Sequence, residues 1–205
     1  MFKEVLNDQQ RELLPVMAAF RREYYLVGGT AIALYLGHRR SIDFDMFKPS
    51  AINHKKNLDK LNASGYNCLV TRRVPEQMNL IVNGVKVTFF QYPFPVQVTE
   101  KLESFFRMPS LLQLAAMKAY ALGRRSKWKD YVDLYFLLKD YFTIGELTSC
   151  AKSLFGDLYS EKMFRAQLCY FEDVDYTEDV EYLIDNPPTN EEIRNGLIEI
   201  SKKGI

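Results

Sequence analysis

Residues 26–47 read LVGGTAIALYLGHRRSIDFDMF, and this stretch decides the fold. The apolar run at its start predicts a short strand, which Gly28 and Gly29 stop. Thr30 is positioned to cap the short helix that follows. Residues 42–47 then alternate charged and apolar side chains, which predicts a second strand. We therefore expect a compact strand–turn–helix–strand unit.

Two carboxylates share one face of the second strand. Asp43 and Asp45 lie two residues apart, and side chains at that spacing point the same way. Because adjacent carboxylates repel, the pair favours a hard cation, Mg²⁺ or Mn²⁺, which also takes phosphate oxygens. Gly28 and Gly29 allow close approach to the backbone, and the helix that opens at Thr30 directs N–H groups at an anion.

Each of these two motifs alone is more often structural, a turn or a solvated strand face. Their order and spacing together favour a site for a nucleoside triphosphate and a metal ion. Arg40 and Ser41 lie on the loop that leads into the second strand. They are further candidates at this site, because either Arg39 or Arg40 could pair with a phosphate there.

The composition is that of an ordinary globular protein. Of 205 residues, 47% are hydrophobic and 26% are charged, which excludes a disordered chain, a collagen-like chain and a coiled coil. The net charge of +1 excludes a globally basic nucleic-acid coat but not a local basic patch. Three widely spaced cysteines, and the lack of a signal-like or membrane-spanning run, predict a cytoplasmic protein with no membrane partner.

The second half of the chain has a different character from the first. Residues 78–90 hold two β-rich runs around Asn83 and Gly84, the pair typical of a tight hairpin. Helical patterns dominate beyond them. The sequence thus predicts an α+β fold, with a mixed α/β core over residues 1–98 and a helical domain over residues 99–205.

A second block of interest, residues 111–138, reads LLQLAAMKAYALGRRSKWKDYVDLYFLL. Lys118 falls on the apolar stripe of its helix, so it must find an anion or reach solvent at the edge of the helix. Asp130 and Asp133 are three residues apart and share a helix face. Asp130 also stands where a helix cap would stand, which is the structural alternative for this residue.

A basic loop separates the two helices of this block. Arg124 and Arg125 begin it, and Lys127 and Lys129 continue it. Such a run is expected either to contact phosphate or RNA or to be simply a solvated loop.

Both blocks resemble a known family. The first is similar to the opening motif of the DNA polymerase β-type minimal nucleotidyltransferases, a Gly-Gly helix start followed by Asp-x-Asp. With the second block, the chain resembles the AbiEii/AbiGii-type toxin nucleotidyltransferases over residues 24–140. The resemblance implies a polymerase β-like mixed sheet with flanking helices, followed by a helical domain that completes the active-site cleft.

The resemblance also implies an activity. It indicates metal-dependent transfer of a nucleoside monophosphate from an NTP to a hydroxyl of RNA, with transfer RNA as the expected acceptor. Such proteins are toxins of toxin–antitoxin or phage-defence systems, so an antitoxin protein is an expected partner. The alternatives are a nucleotide- or partner-binding member without activity, and a small-molecule nucleotidyltransferase of the antibiotic-modifying type.

Roles for individual residues follow from the resemblance. Asp43 and Asp45 are expected to hold the metal, and Lys118 to contact nucleotide phosphates. Asp130 is expected to be needed for activity, with Asp133 as the second choice.

The chain departs from the pattern at Thr88. Polymerase β-type enzymes usually supply a third carboxylate from a later strand, here residues 85–90. Thr88 occupies that position. Loss of a base-like carboxylate typically costs about 10²–10⁴-fold in rate, so this residue bears on catalysis more than on fold.

Overall fold

A computed structural model describes residues 1–204, and the chain divides after Ser110 into two compact units. The sequence predicts this boundary at residue 98. The difference arises because residues 100–108 form a small hairpin whose second strand packs beside the first strand of the chain. That hairpin therefore belongs to the first unit.

The first unit contains three α-helices, a short 3₁₀ turn at Lys3–Val5 and seven strands. Its elements are α1 (Asp8–Ala18), β1 (Tyr25–Val27), α2 (Gly28–Leu36), β2 (Asp43–Lys48), α3 (His54–Asn62), β3 (Cys68–Val74), β4 (Gln77–Val82), β5 (Val85–Gln91), β6 (Glu100–Leu102) and β7 (Phe106–Met108).

Five strands form one sheet in the order β1-β2-β5-β4-β3. β2 and β5 run parallel, and the other neighbours are antiparallel. The sheet is therefore mixed, as predicted, and the α+β fold class is confirmed. β6 and β7 form a separate two-stranded sheet.

Alternating burial fixes the register of β2. Phe44 and Met46 are fully buried, whereas Asp43 and Asp45 on the opposite face are partly exposed. Behind the buried face, Phe20 and Phe89 lie 4.9 Å apart between ring centroids. The apolar side chains thus face the core, and the carboxylates stay on the accessible face.

The predicted hairpin is confirmed. Val82 pairs with Val85, and Asn83 and Gly84 between them have φ values of 50° and 75°. Two successive residues with positive φ define a turn that matches the twist of the flanking strands. Parallel pairing of β5 with β2 then places Thr88 beside Asp45.

The second unit is helical, as predicted. Its elements are α4 (Leu111–Leu122), α5 (Trp128–Asp140), α6 (Ile144–Phe155), a 3₁₀ turn (Gly156–Leu158), α7 (Glu161–Gln167) and α8 (Asn190–Lys202). The rings of Tyr120 and Phe155 stack at 4.0 Å where α4 meets α6. Every helix in the described part of the chain is too short or too polar to cross a bilayer.

Candidate functional site

The Gly28-Gly29 turn lies where β1 passes directly into α2. Gly28 has φ +74°, and a Cβ atom built there would lie 2.2 Å from Oδ2 of Asp45. A Cβ on Gly29 would lie 2.7 Å from a terminal guanidinium nitrogen of Arg39. The two glycines therefore let a carboxylate and a guanidinium approach the start of the helix, where amide N–H groups are unpaired.

Thr30 does not cap this helix. The helix begins at Gly28, and Val27 is its N-cap residue, without a side-chain bond. The Thr30 hydroxyl is buried instead. It donates a hydrogen bond to the backbone carbonyl of Asp43, and it lies at hydrogen-bond distance, 2.9 Å, from Ser41 Oγ. This residue thus ties the glycine turn to the start of β2.

Asp43 and Asp45 share the accessible face of β2, as predicted. Their neighbours on the parallel strand β5 are Lys86 and Thr88. Lys86 Nζ lies 3.6 Å from Oδ2 of Asp43. Thr88 is level with Asp45, so it occupies the strand position that the resemblance expects to carry a third carboxylate.

The donor set fits a divalent cation. Two carboxylates on one strand face can share a hard ion whose remaining positions are filled by phosphate oxygens and water. Among residues 1–204, no group of three or more His, Cys, Asp or Glu side chains is arranged to hold a metal. The described chain would therefore supply two carboxylate ligands, and the substrate would complete the site.

Arg39, rather than Arg40, is the arginine that lies at the glycine turn. Its side chain is 2% exposed, at Gly29 and close to Ser41, and it donates to the Arg40 carbonyl at 2.9 Å. Arg40, the predicted phosphate-binding residue, directs one guanidinium nitrogen to the Glu4 carbonyl at 3.3 Å. Two consecutive arginines leave the choice open in sequence, and only the fold shows which of them faces the glycine turn.

The second unit contains a buried ionic cluster. Lys118 Nζ lies 2.6 Å from Oδ1 of Asp130 and 3.0 Å from Oδ2 of Asp133. All three side chains are at most 4% exposed. Lys118 is thus not a lysine that reaches solvent at the helix edge, because two carboxylates on α5 bind its ammonium group.

Asp130 is not a helix cap either. α5 begins two residues earlier, with Lys127 as an N-cap residue that forms no side-chain cap bond. Burial acts to raise the pKa of Asp130, but the charges of Lys118 and Arg125 outweigh it and hold the pKa below its ordinary value. The Asp130 carboxylate therefore stays ionised in the cluster.

The basic loop is paired within its own unit. Arg125 donates to Asp130 at 2.9 Å, and the guanidinium of Arg124 lies over the ring of Tyr120 at 3.5 Å. Lys127 and Lys129 both form ion pairs with Glu178. Much of the loop's charge is thus balanced by carboxylates.

Known proteins are similar to this chain in sequence and in fold. The family model described as "Nucleotidyl transferase AbiEii toxin, Type IV TA system" matches residues 71–195, more than half of the chain. That segment contains Lys118, Asp130 and Asp133 but begins after the glycine turn. An uncharacterised protein of Aquifex aeolicus is 30% identical over 190 residues, covering 86% of this chain and 89% of its own.

Solved structures show the same fold at low sequence identity. MenT4, a nucleotidyltransferase toxin of Mycobacterium tuberculosis, is similar with a TM-score of 0.62 at 14% identity, over 95% of this chain and 82% of that one. JHP933 of Helicobacter pylori has a TM-score of 0.56 at 19% identity, over 96% and 91%. The antibiotic-resistance factor ANT(2'')-Ia has a TM-score of 0.51 at 13% identity, over 70% and 90%.

Proposed function

The chain belongs to the AbiEii family of nucleotidyltransferase toxins, and we propose that it transfers a nucleoside monophosphate from an NTP to a hydroxyl of RNA, with transfer RNA as the first candidate. The observation that carries the proposal is the approach of Asp45 to the Gly28 turn, beside Asp43 on the same strand face. The cellular role we propose is that of a cytoplasmic toxin, with an antitoxin as partner, in phage defence.

Residues of the first unit have separate roles in the proposed reaction. The N–H groups at the start of α2 bind phosphate oxygens of the NTP, and the helix dipole and the Arg39 guanidinium favour that negative charge. Asp43 and Asp45 would hold Mg²⁺ or Mn²⁺. When bound, such an ion neutralises charge on the phosphates and lowers the pKa of the acceptor hydroxyl. Thr30 keeps the glycine turn and β2 in register.

Lys118 and Asp130 remain proposed catalytic residues of this reaction. Support comes from the family resemblance and from their burial as a charged cluster, because perturbed ionisable groups concentrate at functional sites. Asp133, Arg124 and Arg125 are secondary candidates.

Thr88 favours a second candidate function. A chain without the third carboxylate could bind a nucleotide and transfer nothing, because the group that would accept the hydroxyl proton is missing. In that case the toxin would act through binding alone.

Incubation of the protein with Mg²⁺, total transfer RNA and each α-labelled NTP in turn tests the proposal. We expect label on RNA with the wild type. With Asp43→Ala we expect a decrease greater than the ~10–100-fold that loss of an outer-shell metal partner costs. Asp157→Ala, which removes an exposed carboxylate of the second unit, is the matched control and should retain full transfer.

The possible outcomes separate the candidates. NTP binding without label on RNA would replace transfer to RNA with the binding-only function. Label on a small hydroxyl compound but not on RNA would assign the chain to small-molecule modification. Equal labelling by wild type and Asp43→Ala would contradict the proposed site.

A further inference from the structure

The first unit carries an open basic channel that the proposed reaction does not use. Three adjoining depressions, with volumes of 560, 730 and 390 Å³, form it, and each shares two cationic residues with the next. Seven Lys or Arg and three Asp or Glu side chains line it. The principal cations are Arg21, Arg22, Lys55, Lys56, Lys60 and Arg107.

The charge of this channel is concentrated compared with the rest of the chain. The lining carries four positive charges in excess, whereas all 205 residues together carry +1. The remaining residues of the chain therefore carry a net negative charge, and a polyanion would be attracted to the channel.

Glu23 lies at the centre of the channel and forms ion pairs with three lysines. Its carboxylate lies 2.7 Å from Lys56 Nζ, 3.2 Å from Lys60 Nζ and 3.8 Å from Lys48 Nζ. One carboxylate cannot neutralise three ammonium groups, so the cluster keeps a positive charge. It also holds Lys56 and Lys60, one turn apart on α3, in fixed positions.

Arg107 lines the end of the channel that also contains Arg21 and Arg22. Its Nε is buried and has no hydrogen-bond partner, while its Nη2 donates to the Arg22 carbonyl at 3.4 Å. The residue places a guanidinium group at this end of the channel, where its positive charge favours phosphate.

The lining indicates which kind of nucleic acid fits. Phe106 is the aromatic residue among the channel's lining residues, and it is 1% exposed. Proteins that bind single strands stack bases on exposed aromatic rings, whereas duplex RNA is bound through phosphates and shape. The basic loop 124–129 is a weaker candidate, because Glu178 and Asp130 pair three of its cations.

We propose that the basic channel binds the phosphate backbone of a base-paired region of the acceptor RNA. This assignment rests on the RNA acceptor proposed above. It adds a surface, distinct from the carboxylate pair, that selects structured RNA over single strands and small molecules.

The test is the salt dependence of binding to a short fluorescent RNA duplex, followed by anisotropy without NTP. The variant Arg22→Gln/Lys55→Gln/Lys56→Gln removes three exposed channel cations. We expect about tenfold weaker binding and a log–log salt slope shallower by about 2.7, or 0.9 for each lost phosphate contact. Lys55→Gln alone, which leaves the Glu23 cluster intact, should lower the slope by about 0.9.

The matched control is Lys139→Gln/Lys162→Gln/Lys203→Gln, which removes three exposed charges from the second unit. An equal loss of binding in both triple variants would overturn the channel as a site. Stronger binding of single-stranded RNA than of the duplex would also overturn it. So would a channel variant that loses binding to polyglutamate but keeps its binding to duplex RNA, because that result would indicate an acidic protein partner. Because binding is measured without NTP, a failure of nucleotidyl transfer leaves this result interpretable.

Discussion

At Gly28, the backbone conformation and a neighbouring side chain both require glycine. The residue has φ +74°, and the space of its missing Cβ is filled by Asp45 Oδ2 at 2.2 Å. Alanine is strained at this φ, and it would also push the carboxylate away. We expect Gly28→Ala to reduce transfer about 100-fold, the typical effect of a ~1 Å misplacement of a reacting group. Label transfer to RNA measures it.

Gly65 provides the control for this substitution. Its φ is +79°, but no atom lies within 4 Å of a Cβ built there. Gly65→Ala should therefore cost about 1–2 kcal/mol of stability from backbone strain and leave transfer unchanged. If both alanine variants lost transfer equally, strain rather than displacement of Asp45 would explain the effect.

The sequence predicts the residue types of this site but not all of their contacts. Asp43 and Asp45 follow from the two-residue period of a strand, which is a local property. Their closeness to Gly28 depends on the pairing of β1 with β2, and that contact is visible only in the fold. The choice between Arg39 and Arg40 stays open in the sequence for the same reason, because it depends on which of the two side chains the loop directs inward.

At the scale of elements, α4 and α5 are joined through Lys118, Asp130 and Asp133. The pKa of Asp130 lies below its ordinary value of 3.8. A depressed folded-state pKa contributes stability above the unfolded-state value, and this contribution is lost as the pH falls through the folded-state pKa. The cluster thus stabilises the helical unit at neutral pH and fails in acid.

Asp130→Asn should expose this dependence. We expect the free energy of unfolding at pH 7 to decrease by about 3 kcal/mol or more, because the buried ammonium group of Lys118 loses one of its two carboxylate partners. The difference from the wild type should shrink as the pH falls from about 4 through the folded-state pKa. Urea unfolding at a series of pH values measures it, with Asp140→Asn, at the exposed end of α5, as the control. A difference that stays constant with pH would contradict an ionised Asp130.

The boundaries of helices and strands show where local sequence preferences predict the structure and where they do not. The Asn83-Gly84 hairpin was predictable, because its turn depends on two consecutive residues. Thr30 and Asp130 looked like helix caps, but their side chains bind β2 and Lys118 instead. The N-cap residues of the two helices are Val27 and Lys127, three positions before Thr30 and Asp130, because partners distant in sequence outweigh the local capping preference.

The whole molecule separates its charges in a way that the net charge of +1 conceals. The first unit holds the basic channel. In the second unit, residues 172–185 contain seven acidic residues and no Lys or Arg. This acidic segment lies along the basic loop, where the backbone carbonyl of Asp175 accepts from the Trp128 amide at 3.0 Å and the Glu178 carboxylate pairs with Lys127 and Lys129. Glu178 therefore offsets part of the positive charge of the loop.

Glu178→Gln should release this loop for RNA. We expect tighter duplex binding and a salt slope steeper by about one phosphate contact, with less than about 1 kcal/mol change in stability because the ion pairs are partly exposed. Glu199→Gln, which removes the partner of Lys202, changes the net charge equally and should leave binding unaffected. If the two variants bind duplex RNA alike, the acidic segment does not compete with RNA, and the basic loop is a structural part of the helical unit.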